Sequence, residues 1–304
     1  MNNRVGMIGY GEVGKVFCAG LKSKPGIESV SAWDLKFALP DGHPERDAAL
    51  AHADKMGDAP CDSMQSLCAA SDWLISAVTA SSTLAVAREA ARFIQPGTLF
   101  LDLNSASPGT KQQAAKVIEA AGGFYVEAGV MTSVPPYGIK VPMLLGGPQA
   151  SALADRLRGF HMDARCVSPQ IGIASAIKMC RSVMIKGLEA LVIESYTTAR
   201  AYGVEDHVLP TLAETFPSID WSEQGAYSFS RVVQHGKRRA EEMREAASTV
   251  KEAGFDSIMA SAIADKQQWV ADQAADGVFN DLGKGVRWQA YADRLLGKRA
   301  AKTS

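Results

Sequence analysis

Apolar residues in the first half of the chain come in short unbroken runs separated by stretches of helical spacing. Arg4–Ile8 (RVGMI), Trp73–Val78 (WLISAV) and Thr98–Leu103 (TLFLDL) are short and almost uniformly apolar, as strands covered on both faces are. Ser29–Trp33, Phe124–Glu127 and Met143–Leu145 fit the same class. Between them, Glu12–Ser23, Ser81–Ile94 and Pro108–Ala121 carry helical spacing, and the stretch holding Pro40, Gly42 and Pro44 reads as a polar loop. Strand alternating with helix predicts an α/β doubly wound, Rossmann-type N-terminal domain with a mainly parallel sheet.

The pattern changes after about Pro169. Gly172–Tyr202 contains no proline and one interior glycine, Gly187, and reads as a long helix. Val208–Thr215, Trp221–Met243, Ala262–Ala275 and Trp288–Leu296 also have helical spacing, and strand signals nearly vanish. The prediction is two domains: residues 1–168 form the α/β domain, and residues 169–304 form an all-helical one.

Composition narrows the function. With 32 basic and 33 acidic residues the net charge is −1, so nothing draws the chain as a whole to nucleic acid or an anionic membrane. No apolar run approaches the roughly 20 residues that span a bilayer. The N-terminal run, broken by Gly9 and Gly11, is too short for a signal peptide core, so a cytoplasmic location is expected. The five cysteines include no CxxC pair. They argue against a disulfide framework or metal site and for reduced, mostly buried thiols.

RVGMIGYGEVG (4–14) places Gly9, Gly11 and Gly14 in a G-x-G-x-x-G pattern between a strand and a helix. The first glycine permits a tight turn and the second a close approach by a pyrophosphate. The third lets the helix pack on the strand, while the helix N-terminus presents N–H groups to the phosphates. The loop as a whole, with Tyr10, Glu12 and Val13, is the expected cofactor cradle. Asp34 stands 20 residues beyond Gly14, where a carboxylate accepts the ribose hydroxyls and favours NAD, with Lys36 nearby leaving NADP open. Val78 ends the WLISAV strand and Thr79 and Ser81 follow it, at the carboxyl end where such sheets bind ligands. Capping of the next helix by Ser81 or Ser82 is the other reading.

On a helical wheel of Ile173–Glu194, residues Lys178, Arg181, Ser182, Lys186 and Glu189 share one face and nearly all else is apolar. Such a helix is expected to be buried, its polar stripe facing a cleft or partner charges. A lysine there suits a general base, because desolvation lowers its pKa. A structural pairing of Lys178 or Lys186 with Glu189 is the alternative.

These residues together resemble the β-hydroxyacid dehydrogenase superfamily, which includes 3-hydroxyisobutyrate and 6-phosphogluconate dehydrogenases. The resemblance spans essentially the whole chain through GYGEVG, DLNSASP (Asp102–Pro108), EAGVMTSV (Glu127–Val134) and IGIASAIKMCRS. DLNSASP is similar to the family's substrate loop, and EAGVMTSV stands where relatives carry a small-residue loop that touches substrate. The fourth segment places the family's catalytic lysine on Lys178. The resemblance also implies that Asn104, Ser105, Thr132, Ser133 and Ser182 line the substrate site, with Asn104 meeting the cofactor as well.

The chain departs from the family pattern at Val13, Asn104, Met131–Ser133 and Ser182, which points away from 3-hydroxyisobutyrate itself. KMCRSVMIKGLEAL and HGKRRAEEM are similar to a branch with a 6-phosphogluconate-dehydrogenase-like C-terminal domain. The resemblance implies a homodimer through that domain. In HGKRRAEEM, His235, Lys237, Arg238 and Arg239 read as a cationic cluster at a helix start, opposing the helix dipole and so expecting an outside anion from the substrate. Pairing with Glu241, Glu242 and Glu245 is the other reading.

The expected reaction is reversible hydride transfer between NAD or NADP and a small β-hydroxy acid or sugar acid. The alternatives are an imine reductase, a decarboxylating dehydrogenase for a phosphorylated sugar acid, and an NAD(P) sensor without catalysis.

Overall fold

The computed structural model describes residues 3–283 and 285–297, and the helical backbone on to residue 303. The chain forms two compact units, Met1–Met179 and Cys180–Ser304. The texture of the sequence changes near 168. The compact units divide further on, inside a helix whose first turn is hydrogen-bonded to a strand of the first unit.

The first unit runs β1 (Asn3–Ile8), α1 (Glu12–Leu21), β2 (Ile27–Trp33), α2 (Pro44–Met56), β3 (Ala59–Pro60), α3 (Met64–Ala69) and β4 (Trp73–Ser76). It continues α4 (Thr83–Ala90), β5 (Leu99–Asp102), α5 (Pro108–Ala120), β6 (Phe124–Val130), β7 (Met143–Gly146), α6 (Ala150–Gly159) and β8 (Ala164–Ser168), and ends in the start of α7 (Ile173–Tyr202). One sheet holds all eight strands in the order β3-β2-β1-β4-β5-β6-β7-β8. Neighbours are parallel except β6 and β7. The chain winds outward from β1 to β3, then returns to place β4 on the other side of β1, so the switch point lies between β1 and β4. Ligands bind at the carboxyl ends of strands there. Trp73, Phe17, Phe100 and Tyr125 are fully buried between sheet and helices, as the apolar runs require.

The polar loop expected around Pro40–Pro44 is shorter than its composition suggests. His43 caps α2 and Pro44 is its first residue, a position where the missing N–H costs nothing. The run WLISAV leaves the sheet after Ser76, and the helix expected over Ser81–Ile94 begins as a short 3-10 turn (Ala80–Ser82) before α4. The cysteines are mixed: Cys18 and Cys68 are buried, but Cys166 and Cys180 are exposed, correcting the expectation of a mostly buried set.

The second unit contains the rest of α7, then α8 (Glu205–Thr215), α9 (Trp221–Glu252), α10 (Ile258–Ala275) and α11 (Trp288–Thr303). Its core is aromatic. Tyr196 and Trp288 lie 4.8 Å apart by ring centroids, and Phe229 stacks on Tyr291 at 5.9 Å. Among the described residues no helix is long and apolar enough to cross a membrane.

The long helix meets half of its expectation: its polar stripe faces partner charges, but its apolar side is not all buried. Within the second unit Ser182, Lys186 and Glu189 of its polar stripe are buried, whereas Met184 and Leu191 are exposed. The reason is that α9 and α10 supply counter-charges and donors. Lys186 pairs with Glu242 at 2.8 Å, and Arg239 donates to Glu189, to which the Gln267 side chain also donates. The cluster His235–Arg239 is likewise corrected: it lies in the middle of α9, not at a helix start. Arg238 lies 3.8 Å from Glu242, as the pairing reading has it, whereas Arg239 is buried against Glu189 of α7 and not against a glutamate of its own helix.

Candidate active site

The carboxyl ends of β1, β2, β4, β5 and β6 carry most of the residues singled out in the sequence. At β1 the chain turns through Gly9, with φ +97°, a left-handed value that favours glycine. Gly14 lies so close beneath that an added Cβ would fall 1.9 Å from the Gly9 carbonyl oxygen. Gly11 is the opposite case. A Cβ there would meet nothing within 4 Å, and Gly11 caps α1 without a side-chain hydrogen bond. The turn thus leaves open space in front of the first-turn N–H groups of Glu12, Val13 and Gly14, a cradle that fits a pyrophosphate.

Asp34 directly follows β2, and its carboxylate is held from two sides. The Tyr10 N–H donates to Oδ2 at 2.7 Å and the Lys36 N–H to Oδ1 at 2.9 Å. This fixes the acid against the glycine turn, where a ribose fits. The Tyr10 side chain is turned into the core. Its ring is buried beside Phe37, and its hydroxyl donates to Asp58 at 2.5 Å and lies 3.0 Å from His52 Nδ1. Burial, reinforced by Asp58, holds the Tyr10 phenol far above its usual range, so it stays a donor.

After β4, Val78 is half-buried and Thr79 exposed. The Thr79 hydroxyl lies 3.0 Å from that of Ser82, and neither Ser82 nor Thr79 makes a side-chain cap bond to the helix that follows. Asn104, in the loop after β5, is buried and fully engaged. Its Oδ1 accepts from the Val78 N–H at 2.7 Å, and its Nδ2 donates to Ser76 Oγ at 3.0 Å. Asn104 therefore ties the β4 and β5 loops together. Ser105, next to it, is only half-buried and accepts a hydrogen bond from Lys178 Nζ at 2.5 Å, across 73 residues of sequence.

Thr132 and Ser133 follow the end of β6, Thr132 exposed and Ser133 half-buried. Ser182 and His235 belong to the second unit. There Ser182 is buried and its hydroxyl accepts from Lys186 at 3.2 Å, while His235 is half-buried on α9.

Four residues that sequence reasoning passed over organise this edge. Asp102 and Lys111, each about 1% exposed at the side chain, form an ion pair at 2.8 Å. Tyr125 donates to Asp102 Oδ2 at 2.5 Å, and the Asn104 N–H donates to Oδ1 at 2.8 Å. Burial and then the Asp102 carboxylate push the Tyr125 phenol well up, so it too remains a donor. The fourth is Glu127, buried in β6. The available signal was a charged residue inside an otherwise apolar run, as in LFLD and FYVEAGV.

Comparison with known proteins agrees with this geometry. Residues 4–152 match the NAD binding domain of 6-phosphogluconate dehydrogenase, and residues 199–270 match a domain of unknown function (DUF1932). A conserved hypothetical protein from Sinorhizobium meliloti is 36% identical, with a TM-score of 0.74 over 97% of this chain and 96% of that one. The conserved protein MTH1747, described as structurally similar to 3-hydroxyacid dehydrogenases, is 29% identical, with a TM-score of 0.65 over 90% and 99%. The fold is also that of Mycobacterium tuberculosis 3-hydroxyisobutyrate dehydrogenase, at 17% identity and a TM-score of 0.69 over 90% and 96%. The chain is a relative of the Sinorhizobium meliloti protein, and it carries an NAD-binding domain and the fold of the β-hydroxyacid dehydrogenase-like proteins.

Proposed function

We propose that this protein is a cytoplasmic, NAD-preferring dehydrogenase that oxidises a hydroxyl group of a small β-hydroxy acid or sugar acid, with Lys178 as its acid–base residue. The observation that carries this reading is the 2.5 Å bond between Lys178 Nζ and Ser105 Oγ at the carboxyl edge of the sheet that bears the glycine turn. An amine and a hydroxyl at this separation suit a substrate hydroxyl, which takes a place in the same hydrogen-bond set.

Gly9–Gly14 and Asp34 hold the cofactor, with Val78 and Thr79 toward its nicotinamide end; when bound, NAD+ supplies the hydride acceptor. Lys178, as the neutral amine, takes the hydroxyl proton as the carbon–oxygen bond becomes a carbonyl, and its ammonium returns that proton in the reverse direction. Ser105 orients the substrate oxygen, and Asn104 keeps the Ser105 loop in place through Val78 and Ser76. Thr132 and Ser133 complete the polar lining in this reading. The fixed Asp34 carboxylate favours NAD, because it repels a 2′-phosphate.

The test is reduction of NAD+ and NADP+ by purified protein against a panel of β-hydroxy acids, sugar acids and their phosphates, with release of CO2 followed in parallel. Lys178→Ala is expected to lower kcat about a hundredfold or more while NAD binding is kept. Full activity in that variant overturns the role of Lys178. Silence of the wild type toward the whole panel, with cofactor bound, overturns the substrate class.

We also infer a homodimer through the helical unit. Met184, Leu191, Tyr202 and Val204 leave large apolar side chains exposed there, and Leu191, Tyr202, Val204 and Val208 line one groove. Light scattering at the monomer mass would overturn it.

A further inference from the structure

Glu127 lies in β6 with its side chain wholly buried, in register with Asp102 of β5 on one side and Gly146 of β7 on the other. A carboxylate in such a place must find donors, and Glu127 finds three at the start of α7, from Gly172 just before it to Ser175. Oε1 accepts from the Gly172 N–H at 2.7 Å and the Ala174 N–H at 3.0 Å, and Oε2 accepts from the Ser175 hydroxyl at 2.6 Å. Lys178 stands one turn beyond Ala174 on the same helix.

The strand is also shaped to let that helix come close. Two residues after Glu127, an added Cβ on Gly129 would lie 2.9 Å from the Ala174 carbonyl oxygen and 3.5 Å from Lys178 Cβ. Across the ladder, a Cβ on Gly146 would strike Glu127 Oε1 at 2.5 Å. The register partner Asp102 does the matching task on the other side. It accepts from the N–H of Asn104, the residue before Ser105. Two adjacent strands therefore carry two buried carboxylates in register: one holds the loop of the hydroxyl, the other holds the helix of the amine.

We propose that Glu127 is a positioning residue that sets where Lys178 stands relative to Ser105. The proposal rests on the reading of Lys178 as the acid–base residue. Its physical basis is that a carboxylate at a helix N-terminus makes short, charge-assisted bonds and gains from the helix dipole. Such bonds fix both the axial position and the rotation of the first turn, and a displacement near 1 Å at a reacting group is enough to cost about a hundredfold in rate. A role confined to stability would lower the melting temperature and leave the amine unchanged in the folded protein.

The experiment compares Glu127→Ala, Glu127→Gln and Ser175→Ala with wild type, each first checked for folding and NAD affinity. Two readouts are taken below the melting temperature. One is the pH profile of reductive methylation at Lys178, measured by peptide mass spectrometry with exposed Lys140 as internal control. The other is kcat against KM on any substrate the wild type turns over. Glu127→Ala is expected to shift the Lys178 profile and lower kcat about a hundredfold with little change in NAD affinity. Glu127→Gln, which keeps one acceptor oxygen, should restore kcat to within about tenfold. Ser175→Ala, which removes the hydroxyl donor alone, should give a smaller shift and decides the matter should Glu127→Ala fail to fold.

A folded Glu127→Ala, or Ser175→Ala in its place, with the wild-type Lys178 profile and kcat overturns the proposal. A wild type that turns over no substrate counts against the dehydrogenase reading, and the methylation profile then decides the positioning role by itself.

Discussion

Both units of this protein bury charged side chains, and they use them differently. In the second unit Glu189, Arg239, Gln267, Lys186 and Glu242 join side chain to side chain across α7, α9 and α10. In the first, Asp102 and Glu127 direct much of their bonding to backbone N–H groups of Asn104, Gly172 and Ala174, next to Ser105 and on the helix of Lys178. The former pattern holds helices at one rotation and axial register. The latter holds segments of main chain at the edge where a ligand would bind. The same cost of desolvating a charge thus yields packing order in one place and positional order in the other.

That contrast can be broken or sharpened by substitution. The largest effect is expected at Arg239. Arg239→Met leaves Glu189 buried without its cation and should lower stability by about 3–5 kcal/mol in denaturant unfolding. Adding Glu189→Leu should recover much of that loss, since an apolar pair needs no counter-charge. A double variant as unstable as the single one would show that the pair does more than set packing. A smaller effect is expected in the first unit. Tyr125→Phe removes one donor from Asp102, which keeps Lys111 and the Asn104 N–H, so the loss should be about 1–3 kcal/mol. If loops rather than packing depend on Asp102, kcat should fall in Tyr125→Phe by more than KM changes.

The smallest effect concerns the thiols. Burial pushes the Cys18 and Cys68 thiols up to about 12, so both stay protonated through mildly alkaline solution. A thiolate-selective reagent near pH 8 should label exposed Cys166 and Cys180 and spare these two. Above the ordinary thiol value the unfolded chain ionises before the folded one does. Stability should therefore fall as pH rises from about 9 toward 12. Early labelling of Cys18 would show that the core of the first unit opens locally.

Much of the frame was legible in the chain. The apolar runs gave β1, β4 and β5, and the spacing of Gly9, Gly11, Gly14 and Asp34 placed a dinucleotide cradle between a strand and a helix. The helix α2 was missed because only Ala49 and Ala53 are buried on it, too weak an apolar stripe to outweigh Pro40, Gly42 and Pro44. The strand β8 was missed because Arg165, Cys166 and Val167 are exposed at the edge of the sheet and show no alternation.

The candidate site divides in the same way. Lys178 stood out as a lysine on an apolar helix, and Ser105 through its motif. Asn104 was legible as a residue of the site, but its role as a tie between β4 and β5 depends on Val78 and Ser76, distant in sequence. The HGKRRAEEM cluster looked like an anion site because its helix was read as starting there. With α9 beginning at Trp221, the same cations fall at mid-helix, where carboxylates of α7 and α9 meet Arg239 and Arg238.

By itself the sequence determined what short-range rules can encode: the alternation of strand and helix, the glycine turn with its acid, and the long helix that carries the lysine. Period, turn chemistry and fixed spacing are local properties, and they survive in a one-dimensional reading. Only the tertiary structure decided which buried charges meet, that Glu127 receives the first turn of α7, and that Lys178 reaches Ser105. Those facts depend on which strands lie side by side in the sheet, and a carboxylate in an apolar run carries no sign of the donors that will satisfy it.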